Sequence, residues 1–446
     1  MPDVDLLIPT AFLAGLLAFA RRTQGSWFAP GAFFALVWAI QVLLSFVFPE
    51  FTGWSGSIWW IVFTALVLYL GSVAGGIFAG TMTMRGREGE PALNSIVFRR
   101  SPETMIICSL GGMGYTVLAQ LGVFSLAFGD WPPVVYQLLL PFHFAGPMLG
   151  GMIFASRSLQ GSRAWLTILP LLPPAGLAIL FGGRTAIVAP ILFWLAGYFT
   201  IQILLTRGKV SLFTATHILG VTAIIFMFLL IGEGLYIFRT LDLSGEETGA
   251  KLAAYQHHVL RWEFLLEEWP RFRSAVYGNV YAFSIYFTQA WENPPSSHWG
   301  SIIFAAPLNL LGLGGERYPF EVFEIEPGVF SNIYTMLRPP IDDFGLWGSL
   351  VWWLAIGVVQ GWAYARVRHG SILPCAVLAW FYVDTVIIGG FFFRYNAIIL
   401  AYVIVALYLL WFVRFSTRQD AVTLPLDQMS LMTDACRTRD ARAGEV

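Results

Sequence analysis

The sequence predicts an all-α, polytopic integral membrane protein of about eleven transmembrane helices, with one long outer loop containing short helices. Three observations predict it. Of 446 residues, 57% are hydrophobic and 12% charged, against about 25% charged in soluble domains, and the mean hydropathy is +0.68. Apolar runs of about 17–25 residues, the length that crosses a hydrocarbon core, recur along the chain. Aromatic residues reach 16%, as interfacial belts of Trp and Tyr require.

The runs fall at about 5–20, 28–49, 58–80, 105–128, 133–155, 164–182, 185–205, 212–237, 345–364, 371–391 and 397–413. The first ends at Arg21-Arg22 and has no basic stretch before it, so it reads as an uncleaved anchor with its N-terminus outside. The chain thus divides into N-terminal transmembrane helices (1–238), a long outer loop (239–344), C-terminal transmembrane helices (345–414) and a polar tail (415–446) whose composition predicts disorder. Alternating the spans places Arg85, Arg87, Arg99, Arg100, Arg157, Arg163, Arg207, Lys209, Arg366, Arg368 and the basic tail on the inner side, as the positive-inside rule demands. No internal or inverted repeat is visible. Three cysteines, two of them in apolar runs, give neither a disulfide framework nor a metal knuckle. The net charge of −1 indicates no partner, and nothing points to nucleic acid.

Two basic residues break the topological rule. Arg184, in Gly182-Gly183-Arg184-Thr185, and Arg394, in Phe393-Arg394-Tyr395-Asn396, sit in very short outer turns. An anionic ligand on that face accounts for both, because a guanidinium binds phosphate oxygens bidentately. Arg184 also stands at a helix start, whose amides favour anions. Snorkelling to lipid phosphate is the competing account.

The outer loop is too long for a plain connector. Ser244-Gly245-Glu246-Glu247 matches a capping box, predicting a helix that runs to about Glu268 and stops before Pro270. Aromatic residues 277–291 and apolar residues 301–313 predict re-entrant or interfacial helices. His257 and His258 are adjacent, so their side chains diverge by about 100° and form no metal pair. Asp384 lies inside an apolar run, which marks either a wet cavity or an interhelical hydrogen bond. Gln41, Gln120, Gln202, His217 and Gln360 read as interhelical hydrogen-bond formers.

The stretch Asn332 to Gly348, NIYTMLRPPIDDFGLWG, leads straight into an apolar run. Pro339-Pro340 predicts a helix stop that holds Arg338 on rigid, non-helical chain. Asp342 and Asp343 follow at the mouth of the next helix. A stiff charged collar there suits an anionic headgroup; a loop tip carrying solvated charges is the plainer alternative.

Asn332-Ile333-Tyr334-Thr335, Arg338-Pro339, Asp343-Phe344-Gly345 and Gly348 together resemble the signature of bacterial oligosaccharide repeat-unit polymerases, the Wzy-type O-antigen polymerases. Gly183-Arg184-Thr185-Ala186 is similar to that family's other recurrent element. The layout of many spans and one long late loop agrees. The resemblance implies a glycosyltransferase of the bacterial inner membrane acting at its periplasmic face, with a periplasmic N-terminus and a cytoplasmic C-terminus. It would join undecaprenyl-pyrophosphate-linked oligosaccharides into O-antigen, capsule or exopolysaccharide. Arg184, Arg338 and Arg394 would hold the pyrophosphate, with Tyr334 and Asn332 beside them, and Asp342 or Asp343, or else His257 or His258, would serve as base. No cofactor or metal is demanded, since the arginines supply positive charge. The lipid bilayer and a chain-length regulator are the implied partners. Loop aromatics, including Tyr277, Tyr281, Trp291 and Trp299, could stack on sugars, though packing is their commoner role. An O-antigen ligase, transferring glycan to lipid A core, shares the topology. A transporter or flippase would show broken helices or internal repeats.

Overall fold

The computed structural model describes residues 4–47, 55–84, 95–98, 110, 141–156, 165–173, 184–208, 210, 220, 269–295, 298–305, 308, 313, 323–326, 329–331, 336–387 and 396–416. These are mostly helical. In chain order the helices are α1 (Val4–Gln24), α2 (Pro30–Val47), α3 (Ser55–Met84), α4 (Phe142–Ser156), α5 (Arg184–Thr206), α6 (Trp269–Glu292), α7 (Arg338–Arg368), α8 (Pro374–Ile387) and α9 (Asn396–Phe412). Four short strands form two antiparallel pairs. β1 (Ser95–Phe98) pairs with β4 (Val413–Ser416), and β2 (Phe323–Glu326) with β3 (Val329–Ser331).

Among the described residues, three helices are long and apolar enough to cross a membrane: Gly56–Gly80, Ala189–Thr206 and Arg338–Arg368. Shorter apolar helices lie at Pro30–Leu43, Pro374–Val386 and Leu400–Leu410. Their outward faces carry large apolar side chains such as Phe12, Leu70, Ile77, Phe78, Val351 and Leu407, which suits a lipid surround. The apolar runs at 105–128 and 212–237, and the capping-box helix at 244–268, lie outside the described residues.

The most extensive helix pair is α3 with α7. Each carries two small residues four apart, and the pairs face each other. A Cβ on Gly71 would meet the Leu354 carbonyl, and one on Gly75 the Val358 carbonyl. Reciprocally, Gly357 faces the Leu68 carbonyl and Gly361 the Ser72 carbonyl. Without a hydrophobic drive between helices in lipid, such backbone-to-backbone approach is what holds spans together. A second pair, α4 with α5, uses the same device, with Gly151 against the Trp194 carbonyl and Gly197 against the Met148 carbonyl.

Aromatic packing joins the remainder. Phe28 stacks on Phe199 at 4.5 Å and meets Tyr382, whose hydroxyl donates to the Phe28 carbonyl. Thr23 and Gln24 at the end of α1 bond to Tyr69 and Ser72 of α3 at 3.0 and 2.8 Å. Gln202 bridges α5 to the Ala155 carbonyl of α4 at 3.5 Å, as its sequence position predicts. Gln360 is fully buried, and both its amide atoms lack a partner among the described residues.

One proline-based expectation is corrected. Pro339 and Pro340 do not stop a helix; they begin one, and Arg338 is its first residue. Pro270 also stands in the first turn of α6, and the helix expected to stop before it, at about 244–268, lies outside the described residues. A first-turn residue needs no intrahelical amide partner, so the missing N–H of proline costs nothing there and its fixed φ favours the helix. The run at 164–182 opens on 3-10 turns around Leu169–Leu171, where Pro170 withholds a donor from the i→i−4 ladder, and beyond residue 173 it lies outside the described residues. Of the apolar stretch 301–313, the described part turns over 301–304 and is helical at Ala305 and Leu308, where the Leu308 amide donates to the Phe304 carbonyl at 2.9 Å.

Candidate functional site

α7 is two pieces. Gly345 has φ 71° and ψ 177°, outside helical space, so a short turn over 338–344 is set off from the apolar rod that follows. This region of the map is almost exclusive to glycine. The break gives the segment before it its own direction, and the two aspartates of that segment face different partners.

Arg338 and Asp342 lie one helical turn apart, so they share a face. The Arg338 Nε donates to Asp342 Oδ2 at 3.2 Å. Tyr286, brought in by α6, donates its hydroxyl to Asp342 Oδ1 at 2.5 Å. The same tyrosine ring lies under the guanidinium, 4.5 Å from its centroid. Tyr286 therefore touches both members of the ion pair, one through its face and the other through its edge. Arg338 and Asp342 are each 7% exposed. Burial strengthens such charge-assisted bonds and makes each partner necessary to the other. These residues are not the solvated loop tip that the sequence left open.

Asp343, fully buried, points about 100° away around the turn. Its two oxygens accept the amide hydrogens of Ile302 at 3.1 Å and Ile303 at 2.7 Å. The carbonyls of Asp342 and Asp343 accept from the amides of His298 and Trp299, at 3.3 and 2.9 Å. The helical ladder is interrupted at Gly345, which makes those carbonyls available. Residues 298–303 are thereby clamped to the collar by four hydrogen bonds. Within the clamped turn, Trp299 and Gly300 adopt left-handed φ values of 51° and 89°. Trp299 is 85% exposed, so the clamp holds an indole out from the surface. The His298 imidazole lies close enough to act electrostatically on both carboxylates.

The residues singled out from sequence separate into two groups. Arg338, Asp342 and Asp343 come together with Tyr286 and His298. Arg184 stands at the first position of α5, as its predicted helix-start role requires. Asn332, Tyr334, His257, His258 and Arg394 lie outside the described residues. Tyr286 and His298 were not picked out by any motif. The only sequence signal for Tyr286 is its place in the aromatic stretch 277–291, and His298 carries none. Asp384 lies on α8, partly buried, near the Tyr402 hydroxyl. Among the described residues no group of three His, Cys, Asp or Glu side chains is placed to hold a metal ion.

A second concavity adjoins the collar. A cavity of about 620 Å³ opens between the first turns of α3, the last turns of α6 and the start of the α7 rod. Trp60, 4% exposed, forms its floor and packs against Phe287 at 5.5 Å and Trp347 at 6.0 Å.

Chemically, the collar offers an oriented guanidinium, a carboxylate with a phenol on it, and an imidazole. That set can bind an anion and accept or relay a proton. Comparison of the chain with family models, with curated proteins and with solved structures finds no match.

Proposed function

We propose that the chain is a multi-pass glycosyltransferase of the bacterial inner membrane that polymerises undecaprenyl-pyrophosphate-linked oligosaccharide repeat units at the periplasmic face. About eleven spans would carry it, with the N-terminus outside and the C-terminus inside. The observation that carries the reading is the buried Arg338–Tyr286–Asp342 cluster at the mouth of an apolar helix. An expensive, oriented charge set at that depth is the kind of feature that serves a polar reaction on a membrane lipid.

The reaction balances simply. An acceptor sugar hydroxyl attacks the donor's anomeric carbon, and a new C–O bond forms as the bond to pyrophosphate breaks. The hydroxyl proton passes to a base, and lipid pyrophosphate leaves. Arg338 and Arg184 are the residues for the leaving group, since a fixed guanidinium stabilises charge that develops there. Asp342, with its Tyr286 hydroxyl, and His298 are the described groups suited to take the proton. The exposed Trp299 indole, held rigid by its clamp, suits stacking on a sugar ring.

The test is genetic. The gene is deleted in its host and surface glycans are resolved on a gel, with wild type and Arg338→Ala as complements. Collapse of the long ladder to a core bearing one repeat unit, restored by wild type and not by Arg338→Ala at equal protein level, supports the reading. An unchanged ladder sinks it. Loss of all glycan from the core, with lipid-linked chains accumulating, indicates a ligase instead.

A further inference from the structure

The cavity between α3, α6 and α7 is two-sided in chemistry. One wall is aromatic: Trp59 and Trp60 from α3 and Trp347 from α7. The α6 wall is mixed: beside Phe287 and Trp291 runs a polar stripe of Ser284, Thr288 and Glu292, four residues apart and therefore on one face. The two sides make different demands on an occupant. A hydrocarbon chain would satisfy the indoles but would desolvate the Glu292 carboxylate, while the Thr288 hydroxyl already donates to the Ser284 carbonyl at 3.0 Å. A phosphate is disfavoured, because among the described residues Glu292 is the only charged one in the lining. A pyranose ring has both characters, with an apolar C–H face for an indole and an edge of hydroxyls for serine, threonine and carboxylate. The volume of about 620 Å³ falls within the range of small-molecule sites, about 300–1,000 Å³. The floor is prebuilt, since Trp60 is locked between Phe287 and Trp347. The walls are open to ligand, with Trp347 71% exposed and Glu292 exposed.

We infer that this groove is a binding subsite for neutral saccharide rings, separate from the anion-handling collar and placed one helical turn beyond it. The inference rests on the glycan-polymerising reading above. In that setting the groove would hold sugars of the chain or repeat unit while the collar holds the phosphates. Trp347 stacks on the ring and Glu292 accepts hydroxyl hydrogens at the rim.

The experiment is a titration of full-length protein in nanodiscs. The probe is phosphate-free oligosaccharide released by mild acid from the host's own surface glycan and labelled at its reducing end, read by fluorescence anisotropy. Both test positions are exposed; Glu292→Gln leaves the packed floor intact, and Trp347→Ala removes one ring beside Trp60 while Phe287 still holds it. Saturable binding is expected, weakened about tenfold by Trp347→Ala and about threefold by Glu292→Gln. Excess geranylgeraniol should not displace the probe. Absence of saturable binding, binding unchanged in both variants, or displacement by geranylgeraniol overturns the inference, the last by making the groove a lipid site. The two readings fail separately. Normal glycan length in cells carrying Arg338→Ala removes the proposed polymerase function while leaving the titration to stand. Lost extension in that variant together with no oligosaccharide binding removes only the groove.

Discussion

Asp343 and Ile303, forty residues apart in sequence, are joined by a 2.7 Å hydrogen bond from the isoleucine amide to the aspartate carboxylate. With the companion bond to Ile302, this makes Asp343 a cap for a turn it does not belong to. Its neighbour Asp342 has a different task, orienting Arg338. Adjacent identical residues thus divide structural support from candidate chemistry.

Asp343→Ala should therefore act on stability first. It strands two buried amides and removes two bonds to a charged acceptor, a loss of about 3 kcal/mol. Thermal unfolding in detergent should fall by several degrees, and the 298–305 turn should become accessible to protease. A variant as stable and as protected as wild type would show that the clamp is dispensable.

Tyr286→Phe keeps the ring under Arg338 and removes only the hydroxyl bonded to Asp342. The expected loss is about 1 kcal/mol of stability, with chain extension reduced. Combined with Asp342→Ala it should be clearly less than additive, because both changes break the same bond. Strict additivity in a thermal-shift series would argue against the contact.

Gly345→Ala isolates backbone strain. A Cβ there meets nothing within 4 Å, so no clash contributes. The φ of 71° with ψ of 177° should alone cost about 1–3 kcal/mol, read as a lowered unfolding midpoint.

Neighbouring glycines of α3 should respond oppositely. Gly75→Ala drives a methyl group into the Val358 carbonyl of α7 and should separate the helix pair, giving little monodisperse protein. Gly76→Ala meets nothing within 4 Å and should be neutral or stabilising by about 0.5–1 kcal/mol, as Ala replaces Gly in a helix. Size-exclusion profiles of the two variants decide it, and equal behaviour would refute the reciprocal packing.

Much of this was legible in the sequence. The apolar runs at 58–80, 185–205 and 397–413 correspond to α3, α5 and α9 within a few residues, because unbroken hydrophobicity is a local signal. Arg184 as a helix start was legible for the same reason, and so was the grouping of Arg338 with the two aspartates, which adjacency guarantees. Other features escaped. Proline marks both the first turn and the end of a helix, so Pro339-Pro340 was given the wrong sense. Whether Asp343 meets water or two distant amides is set by tertiary packing, which leaves no local trace. Tyr286 was one aromatic among many until α6 placed it over Arg338. The glycine pairs at 71/75 and 357/361 are visible in each helix, yet their mutual facing depends on how the helices rotate.

The pairing of Ser95–Phe98 with Val413–Ser416 stitches a segment from the first quarter of the chain to one just past the last helix. The polypeptide is therefore closed upon itself late in synthesis. Until the final helix emerges, β1 presents an unmated rim of backbone groups that can recruit a wrong neighbour. A shortened protein ending before residue 413 would keep that rim permanently bare. Fusions intended to report on this protein should accordingly be attached beyond Ser416, where the seam is already sewn.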